Sequence, residues 1–230
     1  DKIVIYTMNR HQDVLNLYSV NPRSTISHLL IKESVPKYVK EEAMANIRLT
    51  KDFILFPSDR DGYMHLYLYN GNGTLKRKIG DGNFDITDVY GIDESTGDVY
   101  YQAASLSAHD RQVYVSHTNG KSERLTHQEG WNSAIFSGDF QYFINIWSDY
   151  NTPYMYTTCR NNGKIIATNV DNHDLKSKIQ RYGWTKRETF SFTTSDGVRL
   201  DGWMVKPANF DTSKKYPVIM YQYSGPGSQQ

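Results

Sequence analysis

Short apolar runs separated by polar turns recur along the first 170 residues of the chain. Runs that start at residues 3, 53, 99 and 142 are each followed by a second run, so the pattern repeats about every 45 residues. The runs are rich in aromatic and β-branched side chains, which pack well on a pleated, half-buried surface. The pattern therefore predicts a repeated β unit rather than a set of helices.

The same turn chemistry separates the strands of each unit. Polar hairpin sequences join the first two strands, and Asn-Gly tips follow the next strand at Asn70–Gly73, Asn119-Gly120 and Asn162-Gly163. Tight hairpins need positive φ angles, which Gly and Asn adopt readily. Four antiparallel strands in roughly 40 to 50 residues are typical of a β-propeller blade. A β-sandwich is the competing interpretation, but it gives no reason for one four-strand order to recur.

The spacing divides the chain into three parts. Residues 1–170 are predicted to form a partial β-propeller of about four blades, the first of which lacks its leading strand. Residues 171–187 are polar and predict a short helix or linker. Residues 188–230 predict three strands without blade spacing, at Glu188–Thr193, Val198–Lys206 and Tyr216–Tyr223. The third run is nearly all apolar, which is typical of a strand buried on both faces in an α/β domain.

Composition narrows the possible functions. The 230 residues include 26 basic and 25 acidic side chains, so the charge excess typical of proteins that bind nucleic acids or anionic membranes is missing. The mean hydropathy is −0.64, and no apolar run approaches the length of a membrane-spanning helix. Cys159 is the single cysteine, which excludes an internal disulfide and predicts a small packed side chain.

Neither a metal site nor a cofactor is predicted. The seven histidines form no H-x-x-x-H or H-E-x-x-H pair, so a zinc site is not indicated. Asp59-Arg60-Asp61-Gly62 has some features of a calcium loop, but Pro57 stands at a ligand position and no glutamate closes the loop. We interpret this segment as a hairpin turn.

Three stretches of the sequence resemble one family of enzymes. The segments "SDRDGYMHLYLYN", "TSDGVRLDGWMVKPANFD" and "SKKYPVIMYQYSGPGSQQ" are similar to the dipeptidyl peptidase IV branch of the prolyl oligopeptidase family of serine peptidases. The resemblance covers essentially the whole chain and is most specific from Lys214 to Gln230. In that family an eight-bladed propeller caps an α/β-hydrolase domain. The resemblance implies that this chain holds the later propeller blades and the first strands of the hydrolase domain.

The resemblance also implies an activity for the intact protein. That activity is the release of N-terminal dipeptides with Pro or Ala at the second position, by an enzyme that needs no cofactor. Such enzymes are commonly homodimers, and in bacteria they are exported to the periplasm or the cell surface. The propeller is expected to gate and recognise the peptide substrate. Two alternatives stay open: a non-catalytic propeller module that binds a protein or glycan partner, and a tripeptidyl or acylaminoacyl peptidase of the same family.

One catalytic role is carried over to a residue of this chain. By its place in "YQYSGPGS", Tyr223 matches the family tyrosine whose phenolic OH donates to the tetrahedral oxyanion. A serine peptidase also needs a nucleophile, an acid and a base. The sequence contains no G-x-S-x-G nucleophile elbow, so this chain alone is expected to be inactive. Glu41-Glu42 resemble the glutamate pair that holds the substrate amine in this family, but they lack its aromatic context and are not assigned that role.

Overall fold

The computed structural model of the protein describes residues 3–223 and residue 225. These residues form two compact units, one ending at His173 and the other beginning at Asp174. The first unit contains four successive antiparallel sheets, which we call blades 1 to 4. The second unit contains a single two-stranded antiparallel hairpin among its described residues.

The strands of each blade follow one another in chain order. Blade 1 consists of β1 (Ile3–Met8), β2 (Val14–Val20) and β3 (Ser27–Ser34). Blade 2, preceded by helix α1 (Glu41–Ala45), consists of β4 (Arg48–Leu49), β5 (Phe53–Ser58), β6 (His65–Asn70) and β7 (Leu75–Ile79). Blade 3 consists of β8 (Ile86–Asp93), β9 (Asp98–Ala103), β10 (Gln112–Ser116) and β11 (Ser122–Arg124). Blade 4 consists of β12 (Trp131–Phe136), β13 (Tyr142–Asp149), β14 (Thr152–Arg160) and β15 (Ile165–Val170).

This arrangement confirms the mainly β fold of repeated antiparallel blades that the spacing predicts. Within the described residues blade 1 has three strands, as expected for a unit without its leading strand. The leading strands of the other blades are β4, β8 and β12, and each pairs with the strand that follows it in the chain.

Consecutive blades pack face to face, so both faces of the middle blades are buried. In β5, Ile54 and Phe56 belong to the apolar core shared with blade 1, whereas Leu55 belongs to the core shared with blade 3. Side chains in a strand alternate between the two faces of its sheet, so burial on both sides produces a continuous apolar run. A third core lies between blades 3 and 4, where Cys159 packs near Phe143 as the small buried side chain that was predicted.

Hydrogen bonds also connect the leading strands of neighbouring blades. The guanidinium of Arg48 donates to the backbone oxygen of Val89 at 3.1 Å and so links blade 2 to blade 3. The backbone N–H of Ala134 donates to the phenol oxygen of Tyr90 at 3.0 Å and links blade 4 to blade 3. Burial raises the pKa of Tyr90, so its ring remains a neutral hydrogen-bonding group.

Two Asn-Gly tips pack directly against the backbone of the preceding blade. A Cβ added at Gly73 would overlap the backbone carbonyl of Leu30 in blade 1, and one at Gly163 would overlap the carbonyl of Leu125. The tip of blade 3 differs, because a Cβ at Gly120 would meet no atom within 4 Å. Gly73 and Gly120 have nearly the same backbone conformation, with φ of +86° and +88°. The two positions therefore separate the effect of backbone conformation from that of close packing.

We expect Gly73→Ala to destabilise the protein more than Gly120→Ala. Both substitutions place a Cβ in a left-handed conformation, at a cost of about 1–2 kcal/mol. Only Gly73→Ala also forces backbone atoms of two blades apart, which adds about 1 kcal/mol or more to the loss. Urea denaturation of the two variants, followed by circular dichroism, measures the difference. If the two variants unfolded at the same urea concentration, the close contact between Gly73 and Leu30 would contribute nothing to stability.

Blades 1 and 4 each present an exposed apolar face in the described chain. On blade 1, Ile3 and Ile5 are 50% and 43% exposed. On blade 4, Ile135 is 60% exposed, and it lies opposite Ile144 in the neighbouring strand. Faces of this kind are the ones that an adjacent blade covers elsewhere in the chain.

The second unit departs from the prediction at its last strand. Helix α2 (His173–Arg181) begins after Asp171, whose carboxylate accepts the backbone N–H of His173 at 3.0 Å. Strands β16 (Arg187–Thr193) and β17 (Arg199–Val205) form where two strands were predicted, and they pair in an antiparallel ladder. The predicted strand at Tyr216–Tyr223 is wrong for the described chain, because this segment joins no sheet. Its apolar side chains are exposed, since no described strand lies beside it to complete a ladder.

Candidate functional site

Tyr223 lies near the end of the described chain, in the segment that was predicted to be the third strand. Its side chain is 71% exposed. The ring lies against Gly225, where an added Cβ would meet it at 2.4 Å and the exposed ring would have to turn away. Ser224 and residues 226–230, the rest of the motif that carries the resemblance, lie outside the described residues. The role of Tyr223 as an oxyanion donor therefore stays a prediction.

The start of the same segment is anchored locally. The phenol oxygen of Tyr216 accepts the backbone N–H of Asp211 at 3.0 Å. Its ring stacks on Phe210, with centroids 5.1 Å apart. Tyr216 therefore has a structural role, since its OH already accepts a hydrogen bond from the local backbone. The side chain of Tyr223 is exposed instead, so its OH is accessible to a reacting group. Such a phenol can donate a hydrogen bond to a developing oxyanion.

The charged turn between β5 and β6 is a hairpin turn, and its carboxylates are paired. Asp59 lies 3.1 Å from the ammonium of Lys40. Asp61 lies 2.8 Å from the ammonium of Lys78 and accepts the OH of Tyr67 at 2.5 Å. The hydrogen bonds from Lys78 and Tyr67 hold the pKa of Asp61 below its ordinary value. Both aspartates therefore help to fix the turn in place.

A buried carboxylate holds the remaining charged residue of this turn. Glu33 of blade 1 is 4% exposed, and its carboxylate binds the guanidinium of Arg60. The hydroxyl of Ser58 donates to the same carboxylate at 2.5 Å. Arg60 also lies over the ring of Tyr67, 4.2 Å from its centroid, and donates to the OH of Tyr69 at 3.2 Å. Sequence reasoning missed this cluster, because only strand register shows that Glu33 faces blade 2.

A cleft of about 550 Å³ opens between blades 2 and 3. One wall is the connection Gly80–Phe84, and another includes the Gly120 tip, the one that is not seated on its neighbour. Tyr101 and Tyr114 stack in the cleft with centroids 5.5 Å apart, and the OH of Tyr114 lies 2.6 Å from the Ser105 hydroxyl. A volume of this size suits a small organic ligand. One feature of the sequence could have pointed to this cleft. Tyr101 and Tyr114 lie opposite each other in the paired strands β9 and β10.

Other candidates from the sequence contribute no assembled site. Glu41 begins α1 and is exposed, and the side chain of Glu42 is not among those described. Burial raises the pKa of the Cys159 thiol, which keeps it protonated and unreactive. Among the described residues, no three His, Cys, Asp or Glu side chains are grouped so that they could hold a metal ion. No helix in that part of the chain is long and apolar enough to span a membrane.

Comparison with known families identifies one match over most of the chain. Residues 1–154 match the family described as "Dipeptidyl peptidase IV (DPP IV) N-terminal region". Dipeptidyl peptidase 4 of Trichophyton rubrum is 25% identical over 240 aligned residues, which cover 100% of this chain and 31% of the relative. Dipeptidyl peptidase 4 of Arthroderma otae is 26% identical with the same coverage of both proteins. The chain thus spans about a third of the length of these relatives.

Comparison with solved structures gives a close match. The crystal structure of Porphyromonas gingivalis dipeptidyl peptidase 4 superposes with a TM-score of 0.95 at 35% identity. The match covers 100% of this chain and 33% of the other. This likeness confirms the predicted fold class, a mainly β chain of repeated antiparallel propeller blades. The eight-bladed propeller and the α/β-hydrolase domain that the resemblance implies stay predictions.

Proposed function

Because the chain belongs to the dipeptidyl peptidase IV family, we propose that it is part of a serine exopeptidase that releases N-terminal dipeptides with Pro or Ala at the second position. The observation that carries this proposal is the match to P. gingivalis dipeptidyl peptidase 4, at 35% identity over the whole chain. In this proposal the later propeller blades occupy residues 1–170, a linker follows at 171–187, and the hydrolase domain begins at residue 188.

The chain's own residues are proposed to act in two ways. Tyr223 donates its phenolic OH to the oxyanion that forms when the substrate carbonyl is attacked. The propeller blades gate and recognise the peptide substrate, and paired contacts hold the charged turn of blade 2 in place. The nucleophile, acid and base lie outside this chain, which is therefore inactive alone. The intact enzyme is proposed to be an exported homodimer that needs no cofactor.

Hydrolysis by the full-length protein tests this proposal. We expect release of the chromophore from Gly-Pro and Ala-Ala p-nitroanilides, and little release once the substrate amine is acetylated. The matched control is the 230-residue chain, which should release none. Preference for a tripeptidyl or an acetylated substrate would assign a different exopeptidase specificity. Absence of hydrolysis of every substrate would favour a propeller module that only binds a partner.

A further inference from the structure

His65 is a buried histidine with one hydrogen bond and one unused nitrogen. It begins β6, is 3% exposed and lies opposite Ser58 in the ladder with β5. Its Nε2 atom lies 3.1 Å from the backbone oxygen of Gly82. Because a carbonyl oxygen only accepts, Nε2 carries the hydrogen and donates it. The Nδ1 atom is buried and has no hydrogen-bond partner among the described residues.

The same ring holds the connection that leads from blade 2 to blade 3. A Cβ added at Gly80 would lie 2.6 Å from the His65 ring, so the backbone approaches the imidazole as closely as glycine allows. The ring of Phe84 meets the imidazole edge-on, with centroids 6.1 Å apart. Just beyond, the backbone N–H of Ile86 donates to the carbonyl of Met64 at 2.7 Å. This connection is also one wall of the cleft between the two blades.

Adding a proton to His65 conflicts with these surroundings. The new N–H at Nδ1 would be buried without an acceptor, and an unsatisfied buried donor is costly. Burial and, to a smaller degree, the positive charge of Lys78 lower the pKa of His65. The hydrogen bond to Gly82 and the carboxylates of Asp61 and Asp85 oppose that shift.

The sign of the pH dependence follows from this shift. An unfolded or locally opened chain binds the proton with a pKa of about 6.5. Since the closed form binds the proton more weakly, its stability is full above that pH and falls as the pH drops below it.

We propose that His65 is an acid-sensitive latch that sets the width of the cleft between blades 2 and 3. When neutral, it holds Gly82 through Nε2 and keeps the Gly80–Phe84 wall closed. When protonated, it leaves its site, the bond to Gly82 breaks and the wall moves outward. The cleft is then wider in acid than at neutral pH.

Amide hydrogen exchange of the full chain at pH 7.5 and 5.0 tests the latch, after correction for intrinsic exchange rates. We expect the Ile86 amide, which bonds to Met64, to lose protection below about pH 6.5, by at most about tenfold per pH unit because a single proton is taken up. Amides in the middle of blade 4 should keep theirs. Equal protection of the Ile86 amide at both pH values would overturn the proposal.

Two substitutions separate His65 from other titrating groups. His65→Gln keeps a donor near the Nε2 position but cannot take up a proton, so its Ile86 amide should be equally protected at both pH values. His28→Gln, at an exposed histidine of β3, should respond to acid as the wild type does. An acid response that persists in His65→Gln contradicts the latch. If that variant does not fold, the NMR titration of wild-type His65 decides, because a midpoint at or above the ordinary value of about 6.5 would mean that the closed form does not bind the proton more weakly, which also contradicts the latch.

Discussion

Replacing Tyr223 with phenylalanine in the intact enzyme is expected to lower kcat for a Gly-Pro substrate by about 10²- to 10³-fold. The phenylalanine keeps the ring and removes only the OH that is proposed to meet the oxyanion. Because that charge forms in the transition state and not in the bound substrate, KM should change little. Steady-state hydrolysis of Gly-Pro p-nitroanilide by the two proteins measures the effect.

A neighbouring tyrosine supplies the control for this experiment. Tyr221 lies in the same extended segment and is exposed to nearly the same degree, 73% against 71%. Tyr221→Phe removes an OH of the same kind and should leave kcat within about twofold of wild type, since a donor contributes only when aimed at the reacting oxygen. Equal losses in both variants would mean that the segment, and not one phenol, is needed. Full activity in Tyr223→Phe would remove the oxyanion assignment.

Replacing Glu33 with alanine is expected to cost about 3 kcal/mol of unfolding free energy. The substitution removes the buried carboxylate that binds the Arg60 guanidinium and accepts the Ser58 hydroxyl. Arg60 then remains between blades 1 and 2 without its counter-charge, and this uncompensated charge dominates the loss. We place the value at the low end for a buried pair because the Arg60 side chain is 30% exposed.

Two further variants show whether burial is the cause. Glu33→Gln keeps an acceptor for Ser58 and should lose less, about 1–2 kcal/mol. Lys40→Ala breaks the more exposed pair with Asp59 in the same turn and should cost under about 1 kcal/mol. Urea denaturation of the blade unit, followed by circular dichroism, ranks the three. A loss in Glu33→Ala no larger than that in Lys40→Ala would show that the buried pair is not a main link between the blades.

The blades could be predicted from the sequence because each strand pairs with the strand next to it in the chain. Each hairpin joins neighbouring strands, so the spacing of apolar runs and Asn-Gly turns specifies the pairing. The strand predicted at Tyr216–Tyr223 failed for the opposite reason. Its apolar pattern describes a strand with partners on both sides, and the described chain offers none.

The features between the blades could not be predicted, because they depend on how distant strands are placed side by side. Glu33 and Arg60 are 27 residues apart, and only the packing of β3 on blade 2 brings them together. His65 reads in the sequence as one polar residue at the start of an apolar strand. Its burial and its bond to Gly82 arise from the path of the next connection. The cleft likewise depends on packing between blades, because it opens where the Gly120 tip does not pack against blade 2.

The chain order of the strands has a consequence for synthesis. Every hydrogen-bonded neighbour within a blade is also the next strand in the chain. A blade can therefore close as soon as its last strand has left the ribosome, with only short loops to order. The growing end always presents one uncovered sheet face, and the next blade to emerge covers it. Assembly from the first blade toward the last keeps the exposed apolar surface small at each step.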